Sequence, residues 1–162
     1  MPARPFQGFF QLAYVTTDLD RALGVFADQF DVGEFADLGE RVLALDDGGE
    51  TRIRVALSFV GSLQVEIIEP RGGRDDIYRR ALPAEGFGLV WHHVGFIVPS
   101  LQALADARGE LTRGGHEVVL SGGTPTTSVF FYADARATLG HYLEYLYLSP
   151  ERQEFHRQLP HH

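Results

Sequence analysis

The feature that most constrains the fold of this chain is an internal repeat. The segments Gln11-Leu-Ala-Tyr-Val-Thr-Thr-Asp-Leu and His93-Val-Gly-Phe-Ile-Val-Pro-Ser-Leu begin 82 positions apart. Each is rich in β-branched and aromatic residues, which predicts a strand. Each ends near a residue suited to cap a helix, Asp18 in the first and Ser100 in the second. Because strand, cap and following helix share one offset, the sequence predicts two copies of one structural unit.

Each copy continues with an amphipathic helix and three further strands. Apolar residues at helical spacing predict helices over about 19–30 and 101–113, which we expect to end at Gly33 and Gly115. The predicted strands are Arg41–Leu45, Arg52–Val60 and Ser62–Glu69 in the first copy, and His116–Leu120, Val129–Ala133 and Tyr142–Leu148 in the second. The predicted fold class is therefore α+β, with two β-α-β-β-β modules that form a cupped mixed sheet around a cleft.

These modules fit one domain that spans all 162 residues. We expect module one at about 8–70 and module two at about 89–150. The connector, 71–88, is rich in Arg, Asp and Gly and is expected to hold a short helix around 75–81. A C-terminal helix is predicted over about 151–159. Neither module alone would bury a large core, so the two are expected to depend on each other.

Composition narrows the classes of function. A formal net charge of −8 argues against nucleic acid or an anionic membrane as the main partner, because both attract a basic surface. Cysteine and lysine are absent, which excludes thiolate nucleophiles, cysteine-built metal sites and lysine Schiff bases. No apolar run is long enough to span a membrane, and the first residues do not resemble a secretory signal, so a cytoplasmic location is expected.

Four polar residues stand out on the predicted strands. Alternation places Gln11 and His93 at equivalent positions on the cleft side of the first strand of each module, each two residues before a small residue. It also directs the neighbouring His92 away from the cleft, towards the helix. The last strand of each module carries a carboxylate, Glu66 or Glu144, inside an apolar run. A half-buried carboxylate needs a partner, and a metal ion is a natural one.

Gln11, Glu66, His93 and Glu144 are therefore predicted to bind one divalent metal ion. The set comprises one amide oxygen, one imidazole and two carboxylates. Such mixed nitrogen and oxygen ligands suit Zn, Ni, Co, Mn or Fe, and the residues do not choose among these. A bound cation would also lower the pKa of a coordinated water or hydroxyl group.

The chain resembles the vicinal oxygen chelate superfamily, which includes glyoxalase I, methylmalonyl-CoA epimerase, extradiol dioxygenases and bleomycin-resistance proteins. The resemblance covers about residues 8–150. Besides the segment at Gln11, it involves Val65-Glu66-Ile-Ile-Glu-Pro, His92-His93-Val-Gly-Phe-Ile-Val and Gly140-His-Tyr-Leu-Glu144-Tyr. In that superfamily the metal ligands lie on the first and last strands of each module. The present four residues are similar to a set seen in glyoxalase I, whereas the epimerase usually has histidine where this chain has Gln11.

The resemblance implies a metal-dependent isomerase, epimerase or lyase that moves a proton next to a carbonyl group of a small oxygenated substrate, possibly a thioester. It implies Glu144 as the base and Glu66 as a metal ligand or second acid/base. Two alternatives remain: a non-catalytic protein that sequesters a small molecule, and an Fe(II) extradiol-type dioxygenase, whose two-histidine set Gln11 does not match. No motif singles out glutathione or CoA. A homodimer is expected by analogy with relatives.

Overall fold

The computed structural model describes residues 6–162, which form a curled sheet of eight strands with five helices. The strands are β1 (Phe9–Thr16), β2 (Ala36–Ala44), β3 (Glu50–Val60), β4 (Leu63–Gly73), β5 (Leu89–Ile97), β6 (Val118–Gly123), β7 (Ser128–Asp134) and β8 (Tyr142–Leu148). The helices are α1 (Leu19–Phe30), α2 (Asp76–Arg79), α3 (Leu101–Arg113), α4 (Arg136–Leu139) and α5 (Pro150–Arg157). The predicted α+β class is confirmed. In this described range, no helix is long and apolar enough to cross a bilayer.

The repeat appears as an approximate twofold symmetry within one continuous sheet. Its strand order is β2-β3-β4-β1-β5-β8-β7-β6, so each module's first strand lies at the centre. There β1 and β5 run antiparallel, and Leu12 pairs with Val94, its counterpart in the other copy. Each central strand also pairs in parallel with the last strand of its own module, β1 with β4 and β5 with β8. The four strands that carry the predicted ligands are therefore adjacent.

Both long helices have the predicted bounds and caps. The Asp18 side chain accepts a hydrogen bond from the backbone of α1, and Ser100 does the same for α3. The prediction that Gly33 stops the first helix is wrong, because α1 already ends at Phe30, the end of its predicted range. The next residue, Asp31, takes the left-handed conformation with φ of 57°, and its N–H donates to the Phe26 carbonyl. An aspartate tolerates this conformation, so the chain leaves the helix before it reaches a glycine.

Several strands extend beyond their predicted bounds because pairing with a neighbour overrides weak local patterning. Strand β2 begins five residues before the predicted Arg41, and Ala36 pairs with Leu57 of β3. Strand β4 continues through Pro70 to Gly73, which pairs with Thr51. The four-residue helix α4 was not predicted, since no apolar periodicity marks so short a turn.

The curled sheet has an outer and an inner core. On the outer face, α1 and α3 each cover one module and bury residues such as Leu19 and Leu104. On the inner face, one apolar cluster includes residues of both modules together with α2 and the C-terminal region. The two edges of the sheet meet where Leu45 forms a bridge with Gly122. The inner face thus becomes a cavity enclosed by both halves of the chain.

Candidate metal centre

The structure brings all four predicted ligand residues together on the inner face of the sheet. The pairing register explains how. Gly95 of β5 lies opposite both Gln11 of β1 and Glu144 of β8. Ala13 of β1, two residues after Gln11, lies opposite both Glu66 of β4 and His93 of β5. The His93 Nε2 atom is 3.2 Å from Gln11 Oε1, 3.2 Å from Glu144 Oε2 and 3.4 Å from Glu66 Oε2. One oxygen atom from each of the other three residues therefore lies within 3.4 Å of the His93 imidazole nitrogen.

This cluster is almost fully removed from solvent. His93 has 0% of its surface exposed, Gln11 2% and Glu144 7%. Burial opposes the charged imidazolium, but the neighbouring carboxylates of Glu144 and Glu66 outweigh burial and raise the pKa of His93 to about 9. Burial also raises the pKa of Glu66, against the opposing effect of His93. Without a cation, the cluster retains a proton on His93 to balance its carboxylates.

The donor set fits a divalent ion. Ligand atoms of Glu66, His93 and Glu144 all lie within 4.8 Å of one another. Ligands placed about 2.1 Å from one ion are separated by up to about 4 Å, so small side-chain movements would close the set around a cation. The buried Oε2 atom of Glu66 accepts no hydrogen bond. A buried carboxylate oxygen without a donor is costly, and a cation at this point would satisfy it.

A hydrogen-bonded chain directs the amide oxygen of Gln11 at the centre. The Gln11 Nε2 atom donates to Gln64 Oε1 at 2.7 Å, and Gln64 Nε2 lies 3.2 Å from His156 Nδ1. Burial lowers the pKa of His156 to about 4, so its ring is neutral and Nδ1 can accept this bond. Both amides are thereby oriented, and Gln11 presents oxygen rather than nitrogen to His93.

Gly95 provides the space for this arrangement. A Cβ atom at position 95 would lie 2.5 Å from Gln11 Oε1 and 2.8 Å from Gln11 Cβ. The sequence predicts room for a ligand beside the small residue, but the Gln11 side chain itself fills that room. Any larger residue at position 95 would therefore displace a predicted ligand.

The prediction that alternation directs His92 away from the cleft, towards the helix that follows its strand, is wrong. Between the pairs Ala13–His93 and Tyr14–Trp91, strand β5 has one extra residue, His92, and this bulge breaks the alternation. The His92 side chain is buried beside that of His93, with Nδ1 atoms 2.9 Å apart. Its Nε2 atom is 2.9 Å from the carbonyl oxygen of Ile77 in α2.

These contacts fix the protons on both histidines. The Ile77 carbonyl only accepts, so His92 Nε2 carries the proton and His92 Nδ1 must accept from His93 Nδ1–H. Burial and the adjacent charge of His93 lower the pKa of His92 to about 3, which keeps its ring neutral. His93 therefore directs Nε2 at the carboxylates, where its lone pair becomes available once the proton leaves.

A cavity of about 320 Å³ lies above the cluster. Gln11, Glu66 and Glu144 line one part of it, together with the rings of Tyr78 and Tyr132. The Tyr78 hydroxyl group is buried without a partner of hydrogen-bond geometry, and burial raises its pKa, so it keeps its proton and can act as a donor. The candidate centre thus faces a space of the size used for small organic ligands.

Sequence reasoning missed Gln64, His156 and Tyr78. Gln64 precedes Glu66 by two residues on β4, so the alternation that identifies Glu66 also places Gln64 on the inner face. His156 and Tyr78 lie on α5 and α2, and no local pattern directs a short helix at a particular cavity. Their part in the site depends on tertiary packing alone.

Comparisons with known proteins agree with this architecture. The structure is similar to methylmalonyl-CoA epimerase from Mycobacterium tuberculosis, with a TM-score of 0.60 and 15% identity over 91% of each chain. It is also similar to a variant of the Streptomyces coelicolor methylmalonyl-CoA epimerase in complex with 2-nitronate-propionyl-CoA, with a TM-score of 0.58 and 15% identity over 88% of this chain and 98% of the other. At this identity the likeness shows a shared fold.

No curated protein matches the chain by sequence. A sequence profile of the glyoxalase/bleomycin resistance protein/dioxygenase superfamily, however, matches residues 10–132, most of the chain. That range extends from β1 into β7 and includes three of the four clustered residues, Gln11, Glu66 and His93, whereas β8, which carries Glu144, lies beyond it. The chain therefore belongs to the glyoxalase/bleomycin resistance protein/dioxygenase superfamily.

Proposed function

We propose that this protein is a metal-dependent isomerase or epimerase that moves a proton next to a carbonyl group of a small oxygenated substrate, such as an acyl thioester. One observation carries the proposal: the carboxylates of Glu66 and Glu144 converge with His93 beside a cavity, and one Glu66 oxygen has no hydrogen-bond donor. The epimerase structures that share the fold are consistent with this reaction class.

In this proposal Gln11, Glu66, His93 and Glu144 hold the ion. A bound divalent cation would polarise the substrate carbonyl and stabilise negative charge on its oxygen. The Glu144 carboxylate, which lines the cavity, accepts the proton from the carbon next to that carbonyl. Glu66 lies on the opposite module and can return a proton from the other side of the substrate. The Tyr78 hydroxyl group can donate a hydrogen bond to a substrate oxygen.

The geometry favours this reading over a ring-cleaving dioxygenase. A two-histidine iron site would need a second imidazole nitrogen at the centre. The neighbouring His92 is held by the Ile77 carbonyl and by His93, so it does not supply one. The two carboxylates are better suited to proton transfer, because burial and the nearby charge of Glu144 raise the pKa of Glu66 and so favour its protonated form.

The direct test is exchange of substrate protons with solvent. The full-length protein would be stripped with a chelator, reloaded separately with Zn, Ni, Co, Mn or Fe(II), and incubated in D₂O with methylmalonyl-CoA, propionyl-CoA or the glutathione hemithioacetal of methylglyoxal. We expect deuterium to enter the position next to the carbonyl of at least one probe, only in the metal-loaded protein. Absence of exchange with every probe and metal would refute the proposal. Tight probe binding without exchange would then indicate sequestration, and oxygen consumption with a catechol would indicate a dioxygenase.

Metal binding should depend on pH because the ion must displace a proton from His93. With a His93 pKa of about 9, the metal-free site is protonated at neutral pH. Lowering the pH therefore weakens binding, by about tenfold per unit below pH 9, and the affinity levels off above it. Calorimetry in two buffers of different ionisation enthalpy should count about one proton released at pH 7.5. His93→Gln is the matched control, because it should bind weakly and without this slope. A flat profile in the unmodified protein would contradict the assignment.

A further inference from the structure

Two arginines from different parts of the fold line the same cavity. Arg41 lies on the edge strand β2 and is exposed, whereas Arg152 lies in the first turn of α5 and is half-buried. No carboxylate in residues 6–162 lies within 4 Å of either guanidinium group, although most described arginines have one. In a chain with a net charge of −8, two such arginines in one cavity form a local positive region.

The two guanidinium groups also oppose each other electrostatically. Burial and the nearby positive charge of Arg41 lower the pKa of Arg152, and only the adjacent Glu151 acts in the other direction. The ring of His156, which lines the same cavity, is neutral because burial lowers its pKa to about 4, so it adds no further positive charge. An anion that binds between these like charges would reduce their mutual repulsion.

The wall between these arginines and the carboxylate cluster is apolar. On the β3 side it is formed by Ile53, Val55 and Leu57, and on the opposite side by Phe130, Leu146 and Leu148. Leu57 pairs with Glu66, and Ile53, which lies further along β3, pairs with Arg41. Along the strands of module one, the lining of the cavity therefore changes from acidic at Glu66, through apolar side chains, to basic at Arg41.

We propose that Arg41 and Arg152 form an anion subsite at the rim of the cavity. Its ligand is a carboxylate or phosphate group that an apolar segment separates from the oxygen atoms facing Glu66 and Glu144. Guanidinium groups bind both kinds of oxyanion through paired N–H donors. The hydroxyl of Ser128, which lines the same cavity, is available as a further donor. The chemistry of the other end of the ligand, at Glu66 and Glu144, rests on the function proposed above, whereas anion binding by the two arginines does not.

Binding of simple amphiphiles tests the subsite separately from catalysis. Octanoate, octyl phosphate and octan-1-ol share an apolar chain and differ in the head group. Calorimetry on the full-length protein, both as purified and after chelator treatment, should show at least one anion binding about tenfold or more tightly than the alcohol. This preference should persist without metal and weaken with added salt. The preferred anion identifies which head group the site accepts.

Substitutions at the rim provide the decisive comparison. Arg41→Gln and Arg152→Gln should each weaken anion binding by about tenfold and leave octan-1-ol binding unchanged. The charge-conserving Arg41→Lys should retain most of the preference. Arg157→Gln, on the same helix but paired with Glu154 and outside the cavity, is the matched control and should bind as the unmodified protein does.

Two results would overturn the subsite: equal affinity for the anions and the alcohol, or an anion preference that survives the Arg41→Gln/Arg152→Gln double substitution. An anion preference that disappears with chelator would place the head group at the metal and would also overturn it. Failure of the proposed function gives a different pattern, since proton exchange would then be absent while the arginine-dependent anion preference remains.

Discussion

Replacement of Glu144 by glutamine is expected to reduce solvent-proton exchange by about a thousandfold, within the range that positioned acid–base groups contribute. Glutamine keeps the shape of the side chain but has no basic oxygen with which to accept a proton. The fold should persist, because the introduced amide can still contact the buried His93. Exchange would be followed by NMR in D₂O on metal-loaded protein, with thermal unfolding as the check on folding. An exchange rate within tenfold of the unmodified protein would exclude Glu144 as the base.

The same substitution at Glu66 separates the two carboxylates. Glu66→Gln removes the negative charge of a predicted ligand but breaks no hydrogen bond accepted by its Oε2 atom, so it should weaken metal binding. If Glu66 serves only as a ligand, saturating metal should restore exchange. If exchange stays slow at saturating metal, Glu66 also carries a proton. Glu117→Gln, at an exposed position outside the cavity, is the control for both variants.

The sequence predicted the position of candidate ligands best where strand alternation and the internal repeat indicated the same residues. Because Gln11 and His93 occupy equivalent positions in the repeat and Glu66 and Glu144 interrupt apolar strands, their convergence could be predicted from the order of the residues alone. The same logic extends to Gln64, one alternation step from Glu66. Prediction failed at His92, because a bulge shifts one residue to the other face and leaves no signal in the side chains themselves.

The rim of the cavity could not be predicted for a different reason. Arg41 and Arg152 are separated by more than a hundred positions and have no equivalent spacing in the repeat. They line one cavity because the edges of the sheet meet at Leu45 and Gly122 and because α5 packs near β8. Strand alternation and helical periodicity do not predict which residues come together when the edges of the sheet meet. Such a pair of arginines can be recognised only in the three-dimensional structure, which shows both that they line one cavity and that neither has a carboxylate from the described part of the chain within 4 Å.

His92→Phe is expected to weaken metal binding by about 10- to 100-fold although His92 is not one of the four predicted ligands. Phenylalanine keeps an aromatic ring near Tyr78 and Tyr142, whose centroids lie 5.1 and 4.9 Å from that of His92. It removes the nitrogen that accepts from His93 Nδ1–H, so that a buried donor loses its partner. The cost, about 1–3 kcal/mol, would favour other tautomers and ring orientations of His93.

A loss of packing alone would lower the unfolding temperature but leave the tautomer of His93 unchanged. Nitrogen-15 NMR of the imidazole rings distinguishes these cases, because it reports directly which His93 nitrogen carries the proton. His92→Gln, whose amide oxygen can accept the same bond, should recover part of the metal affinity. His116→Phe, at a partly buried histidine that contacts the Asp134 carbonyl, should leave the affinity unchanged. Normal metal binding by His92→Phe would mean that the contacts of His93 Nε2 with the two carboxylates and Gln11 suffice to orient the ring without a partner for Nδ1.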